Sequence, residues 1–215
     1  MSEAGRFITF EGGEGAGKST QVTRLADRLR SLGLEAIATR EPGGTPNAEA
    51  LRGLLLNGFA EPLAPASEAM IFSAARIDHL EKLVRPALAR GAFVVCDRFA
   101  DSTRAYQGAL GHISGDFIDT LERLAVGETM PDLTFMLDLP AEDGLSRANL
   151  RRGANRADRF ESEAIGFHRG LRDSFLKIAA AQPQRCVVMD GARTVDEIAD
   201  DVWRLVERRF LGAAA

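Results

Sequence analysis

The chain reads as an α/β protein, a three-layer fold in which a mostly parallel sheet is covered by helices on both faces. Three observations carry that expectation. Short apolar runs alternate along the chain with longer amphipathic stretches. Runs such as Phe93-Val94-Val95 lack the polar alternation of a half-exposed strand, which suits parallel strands buried on both sides. A glycine-rich turn joins the first apolar run to the first amphipathic stretch, where such sheets place an anion. No repeat, linker or low-complexity tract divides residues 1–215, so a single domain is expected.

Taken in order, "RFITF" (6–10), "EAIAT" (35–39), "AFVVC" (92–96), "LTFMLDL" (133–139) and "RCVVMD" (185–190) are five expected strands. After the first, Val22, Leu25, Ala26 and Leu29 recur at helical spacing, and Gly33 can cap that helix. In "SEAMIFSAARIDHLEKLVRPALARG", Met70, Ile71, Ala74, Ile77 and Leu80 gather on one side of a helix that Pro86 bends or divides. The final "TVDEIADDVWRLVERRFL" is amphipathic, with Thr194 a candidate N-cap for Glu197 three residues on.

Composition narrows the function. Lys plus Arg number 27 against 31 Asp plus Glu, a net charge of −4, so nothing global suggests a nucleic-acid polymer as partner and any basic patch is local. Cys96 and Cys186 lie far apart in no metal-spaced motif and read as reduced, buried thiols. The first residues lack a basic-then-apolar signal, and no apolar run approaches the ~18 residues of a membrane span. A soluble, cytoplasmic protein without a membrane partner is expected.

"GGEGAGKST" contains Gly12, four residues, then Gly17, Lys18 and Ser19, the full phosphate-loop pattern, with a strand before it and a helix after it. Glycines let backbone N–H groups turn inward around an anion, and the helix N-terminus adds fixed positive charge. Lys18 can reach the β- and γ-phosphates of a nucleotide and the Ser19 hydroxyl can ligate Mg²⁺. Glu11 ends the strand as an interior or supporting partner. Glu14 is unexpected: a carboxylate among phosphates is costly unless it serves a second ligand. The strand "AFVVC" runs into Asp97-Arg98, where open parallel sheets place ligands; Asp97 can hold Mg²⁺ through water and Arg98 can clamp a phosphate. Ser102, Thr103, Tyr106 and Gln107 follow at spacings that crowd one side of a helix, although spacing alone does not choose their ligand. "LSRANLRRGANRADRFE" (145–161) concentrates Arg147, Arg151, Arg152, Arg156 and Arg159, either as a solvated helix face or as charge that closes over an anion.

Four stretches in order, "FEGGEGAGKST", "TREPGGTPNAEALRGLLL", "FSAAR" and "CDRFADSTRAYQG", followed by "PDLTFMLDL" and the arginine-rich run, resemble the bacterial thymidylate kinases over nearly all of residues 6–200. The resemblance implies a P-loop NTPase-like fold with a five-stranded parallel sheet, a mobile lid at about 147–160, and normally a homodimer. It implies phosphorylation of dTMP to dTDP with ATP and Mg²⁺, in dTTP synthesis. Residues 12–20 (Gly12, Gly13, Glu14, Gly15, Ala16, Gly17, Lys18, Ser19, Thr20) would hold ATP, with Ser19 and Asp97 toward the metal.

The acceptor region spans residues 40–110. On the same resemblance, Glu14 would approach the sugar 3′-hydroxyl of dTMP, Arg52 and Arg98 would hold its phosphate, and Phe72 would stack on thymine. Arg76 would bond the base edge, Thr103 and Gln107 would lie at or near the base, Tyr106 would crowd the sugar 2′ position, and Pro42 would wall the pocket. Where family members carry Tyr or His after Asp-Arg this chain has Phe99, which brings no such hydrogen bond and is left outside the site.

Thymidylate kinases carry their catalytic positive charge either in the phosphate loop or in the lid. Positions 13–16 here hold no arginine, so the lid is expected to supply it: Arg147, Arg151 and Arg152 first, Arg156 and Arg159 behind them, with Gly153 and Ala154 allowing flexure. One or two of these arginines are expected to pair with Asp158, Glu161 or Glu163 instead. Lys18 and Arg98 complete the expected catalytic set. His79, His112 and His168 are expected at the surface without catalytic work. The alternatives are a kinase for another (deoxy)nucleoside monophosphate, or a P-loop regulatory ATPase.

Overall fold

In a computed structural model, which describes residues 5–57, 63–153 and 159–212, five parallel strands stand in the order β2-β3-β1-β4-β5. They are β1 (Arg6–Gly12), β2 (Ala36–Arg40), β3 (Phe93–Asp97), β4 (Leu133–Asp138) and β5 (Cys186–Asp190), each within two residues of its expected bounds. The strand order reverses beside β1, and its carboxyl end is where such sheets open a ligand crevice. Phe10 lies in register with Asp97 on one side and Phe135 on the other, so β1 delivers Glu11 and Gly12 next to the end of β3.

Both faces of β1 are buried from Phe7 to Gly12, with the Thr9 hydroxyl satisfied there by Thr134 (2.7 Å). Ile8 and Phe10 pack toward α1 (Lys18–Ser31) and α9 (Val195–Val206) with Leu25, Leu29, Val202 and Trp203. Phe7 points the other way, to Leu80, Val84 and Phe99. A third cluster joins Tyr106, Met136, Phe160, Leu171 and Phe175 beneath α8 (Ile165–Ala181). Helix ends follow the expected chemistry. At Gly33 (φ 79°) the Leu34 and Gly33 amides return to the Leu29 and Arg30 carbonyls, closing α1, and Thr194 with Glu197 forms a reciprocal cap on α9. Cys96 and Cys186 are free and buried.

The remaining helices frame the crevice: α2 (Pro46–Asn57), α3 (Pro65–His79), α4 (Arg85–Ala89), α5 (Ala100–Thr103), α6 (Gly115–Val126) and α7 (Ala141–Arg152). Pro86 sits in the first turn of α4, after a π-helical turn at Leu80–Val84, so the long helix is divided there. The residues gathered on one side of this stretch do not share one environment: Met70 (49%), Ala74 and Ile77 (42%) are exposed, Ile71 is half-buried and Leu80 is buried. The buried side of α3 carries Glu68, Ser73, Arg76 and His79 instead. Of this polar side Arg76 lines the crevice, while Glu68, Ser73 and His79 are buried with hydrogen-bond partners in Gln107, the Ala69 carbonyl and Glu41. Among the described residues no helix is long and apolar enough to cross a membrane.

Candidate active site

The phosphate loop forms because β1 ends in glycines and α1 begins at Lys18 behind Gly17, whose φ of 94° turns the chain into the helix. It is packed tightly against α7: a Cβ on Gly15 would strike the Gly144 carbonyl, and one on Gly144 would strike the Glu14 carbonyl. Lys18 is buried, and its Nζ donates to the carbonyls of Gly12 (3.1 Å) and Gly13 (2.6 Å). Burial and neighbouring Arg98 lower the ammonium's pKa to about 8, against the pull of Glu14 and Asp97. The Ser19 hydroxyl donates to the Asp97 carboxylate at the mouth of the loop.

Arg98 adopts a left-handed backbone (φ 68°), an unfavourable conformation for a residue with a Cβ that costs on the order of 1–3 kcal/mol. Glu11 holds the turn in place: buried at the end of β1, it accepts from Phe99 N (2.7 Å), Ser102 N (3.2 Å) and Ser102 Oγ (2.7 Å). Burial first, and the Asp101 charge second, push the Glu11 carboxyl up to about 7. So aimed, the Arg98 guanidinium donates to Glu14 Oε1 (2.6 Å), Gly12 O (3.2 Å) and Ser102 Oγ (3.3 Å), and lies 5.3 Å from the centre of the Tyr106 ring. The Tyr106 hydroxyl donates to the same Glu14 oxygen (2.7 Å). Burial raises the Glu14 carboxyl's pKa, but Arg98, Lys18 and that hydroxyl outweigh it and hold the value at about 2. Glu14 is therefore ionised at neutral pH and tied to Arg98 and Tyr106.

Beyond Arg98, one cavity of about 370 Å³ runs from residues 14–20 of the loop past Pro42, Arg52, Phe72, Arg76, Asp97 and Arg98 to Thr103, Tyr106 and Gln107. The expected ATP-side and acceptor-side residues thus share one space, with Gly12 and Gly13 supplying carbonyls behind it. Arg52 donates to the Pro42 carbonyl (2.8 Å). Arg76, only 3% exposed, donates through Nε to Glu41 (2.7 Å) and through Nη2 to Thr103 Oγ1 (3.0 Å) and Phe99 O (3.2 Å). Tyr106 and Gln107 stand on a π-helical turn, Arg104–Leu110, that continues α5; with Ser102 and Thr103 they line the cavity as their spacing suggested.

Of the expected lid arginines, Arg151 alone among the described residues lines this cavity. Arg147 sits on α7 with Nη1 donating to the Gly191 carbonyl (2.8 Å), away from it. Arg152 pairs with Glu161 (2.9 Å) and also donates to Asn149 Oδ1; Arg151 reaches the other oxygen of Glu161 (3.4 Å). Pairing with Glu161 thus takes two of the arginines, as expected for one or two of them. Arg159 pairs with Glu68 on α3. Gly153 ends α7 with φ 59°, while Ala154, Arg156 and Asp158 lie outside the described residues.

Two histidine expectations are corrected. His79 is fully buried: its Nδ1 donates to Glu41 (3.0 Å) and its Nε2 hydrogen-bonds the Thr39 hydroxyl (2.8 Å), because it backs the carboxylate that holds Arg76. His168 is also buried, on the inner side of α8 with its ring against Phe167. His112 is exposed as expected. Phe99 brings no side-chain hydrogen bond, but it does line the cavity, and the Arg76 guanidinium lies 5.2 Å from its ring. Sequence reasoning also missed Glu41, Glu68 and Phe160. Phe160 closes the cavity wall against Tyr106 (ring centres 5.1 Å apart) and Phe72 (6.3 Å). A signal existed for Glu68: with Phe72 and Arg76 it stands at i, i+4 and i+8, one face of a helix.

A phosphate loop at the switch point of a five-stranded parallel sheet, sharing its cavity with a second, arginine-lined pocket, defines a P-loop nucleotide-binding protein of the kinase type. Comparison with known proteins is specific. The thymidylate kinase family model matches residues 10–202. A thymidylate kinase of Rhodopseudomonas palustris is 56% identical over 211 residues, covering 98% of this chain and 92% of the relative. One from Bradyrhizobium diazoefficiens is 51% identical over 214 residues, covering 100% and 94%. The crystal structure of thymidylate kinase from Ehrlichia chaffeensis superposes with a TM-score of 0.74 at 33% identity, covering 94% of this chain and 99% of that one. The chain belongs to the thymidylate kinase family.

Proposed function

We propose that this protein transfers the terminal phosphoryl group of ATP to dTMP, giving dTDP and ADP, in dTTP synthesis. The observation that carries the reading is the single cavity in which Lys18 and the phosphate loop face Arg98, Arg76 and Phe72. ATP lies along residues 12–20, with Lys18 on its outer phosphates. The dTMP phosphate sits at Arg52 and Arg98, thymine lies against Phe72 with Arg76, Thr103 and Gln107 at its edges, and Pro42 walls the pocket. Glu14 faces the deoxyribose 3′-hydroxyl, and Tyr106 crowds the 2′ carbon.

The acceptor phosphate is already a nucleophile, so no general base is needed and catalysis is positioning plus electrostatics. Arg98 touches the loop carbonyl and the acceptor side at once, which suits it to hold the two reactants in line. Among the described residues Arg151 is the lid arginine best placed to meet charge developing between them; Arg147 and Arg152 serve after rearrangement from their present partners. Mg²⁺ fits Ser19 and Asp97, two hard oxygen donors already in contact at the loop's mouth. When bound, the ion neutralises phosphate charge.

The exposed apolar side of α3, Met70 and Ile77, with Leu54 of α2 and Leu124 of α6, supports a homodimer in which a second copy covers that face. A cytoplasmic location accords with the free cysteines. The acceptor assignment is tested by ATP consumption with each nucleoside monophosphate in turn. dTMP should give the highest kcat/KM of the panel, and another acceptor exceeding it would overturn the assignment.

A further inference from the structure

We propose that Glu68 is a positioning residue that decides which pyrimidine the acceptor pocket reads, by fixing the direction of the Gln107 amide; this rests on the acceptor reading above. Glu68 is 3% exposed on α3, an expensive place for a carboxylate unless both oxygens are occupied. They are. Oε1 accepts from Gln107 Nε2 (2.6 Å), and Oε2 is paired with the Arg159 guanidinium. A carboxylate held by a guanidinium only accepts, so Gln107 must present its NH₂ end to Glu68 and turn its carbonyl oxygen away. Gln107 lines the cavity; with its Nε2 end and one of the two N–H groups committed to Glu68, the end it turns toward a ligand is the carbonyl oxygen, an acceptor.

Next to it, Arg76 has Nε and Nη2 bound to Glu41, Thr103 and Phe99, and no hydrogen bond engages its Nη1 among the described residues. The wall therefore pairs a donor at Arg76 with an acceptor at Gln107. A 4-oxopyrimidine such as thymine offers the complement, a carbonyl oxygen beside a ring N–H. A 4-aminopyrimidine such as cytosine offers an amino donor beside a bare ring nitrogen and meets like against like at both positions. Without Glu68 the Gln107 amide can turn end for end at little cost and satisfy either base. Discrimination then comes from Glu68 acting through Gln107, and it works by rejecting the wrong base as much as by binding the right one.

The experiment compares kcat/KM for dTMP and dCMP in the wild type, E68M, Q107L and the double variant. Methionine has similar volume and accepts no hydrogen bond worth the name, and replacing a buried carboxylate by an apolar group is often tolerated. The expected result is a dTMP-to-dCMP ratio at least ~10-fold lower in E68M, since sites built on buried hydrogen bonds discriminate strongly. The KM for ATP should stay within about twofold, as Glu68 touches none of the phosphate loop. Adding E68M to Q107L should lower the ratio no further. A ratio in E68M within about twofold of wild type overturns the proposal, as does an additive loss in the double variant. If E68M does not fold, E68Q carries the test, because its amide no longer dictates direction; an unchanged ratio there overturns the proposal equally. A wild-type protein inactive on dTMP would remove the acceptor reading and this proposal together, whereas an active wild type with an unmoved ratio removes this proposal alone.

Discussion

The two ends of the cavity are built by different means. The phosphate-loop end is local: residues 12–20 follow one another, and their backbone does most of the work. The acceptor end is assembled from side chains of separate segments, and three buried carboxylates hold them: Glu11 the turn bearing Arg98, Glu41 the Arg76 guanidinium, and Glu68 the Gln107 amide. Each half is therefore vulnerable in its own way. A backbone cradle tolerates side-chain changes that leave its turns intact, whereas a pocket of mutually supporting polar groups loses several contacts when one member goes.

Arg98 is where the halves meet, so its loss should have the largest effect. R98A is expected to lower kcat/KM at least ~10²-fold, since in the proposed arrangement it deletes a charge aimed at the transferring phosphoryl group. It should also lower Tm, because Glu14 loses its ion pair and keeps the Tyr106 hydroxyl and the Lys18 charge. R98K should recover stability better than rate, as lysine keeps the charge without the planar fork. A variant with near-normal kcat/KM would put Arg98 on the structural side of the comparison.

Much of the loop end was legible in the sequence and less of the acceptor end, for a physical reason. Strand positions, the phosphate loop and the caps at Gly33 and Thr194 are written in neighbouring residues. The pairs Glu41–Arg76, Glu41–His79 and Glu68–Gln107 join residues 35, 38 and 39 positions apart and exist only because the helices fold over the sheet edge. On α3 the usual rule, apolar side inward, is inverted by a buried polar face. His79 and His168 were misread for the same reason: polar surroundings in sequence became interior ones in space. The arginine-rich run was legible as charge but not as direction, since the partners of Arg147 and Arg159, Gly191 and Glu68, lie far away along the chain.

That run supplies the second prediction. With Arg151 in the cavity and Arg147 turned to Gly191, R151A should lower kcat more than tenfold while moving either KM little, because an arginine acting on a phosphoryl-transfer transition state contributes ~10³-fold or more. R147A should cost less. The reverse order in steady-state kinetics would mean that the lid rearranges so that Arg147 replaces Arg151.

The smallest effect concerns the support beneath Arg98. Because the Glu11 carboxyl is raised to about 7 from an ordinary 4.5, the folded state binds its proton more tightly than the unfolded state does. Its stabilising contribution is full below about 4.5 and is lost as pH rises through about 7. The wild type should therefore lose stability relative to E11Q between those pH values. Thermal melts of both proteins across that range check it, and a stability difference independent of pH would mean that Glu11 does not titrate there.

The central claim is that the two ends serve one reaction, so that the loop's chemistry waits for the acceptor. Its most direct test is ATP turnover by the wild-type protein with Mg²⁺, measured with and without dTMP. ATP consumption should be at least ~10²-fold faster with dTMP present, with ADP and dTDP formed in equal amounts, since water is a poor substitute for a positioned phosphate nucleophile. ATP hydrolysis at a comparable rate without any acceptor would contradict it and leave a nucleotide-driven switch in its place.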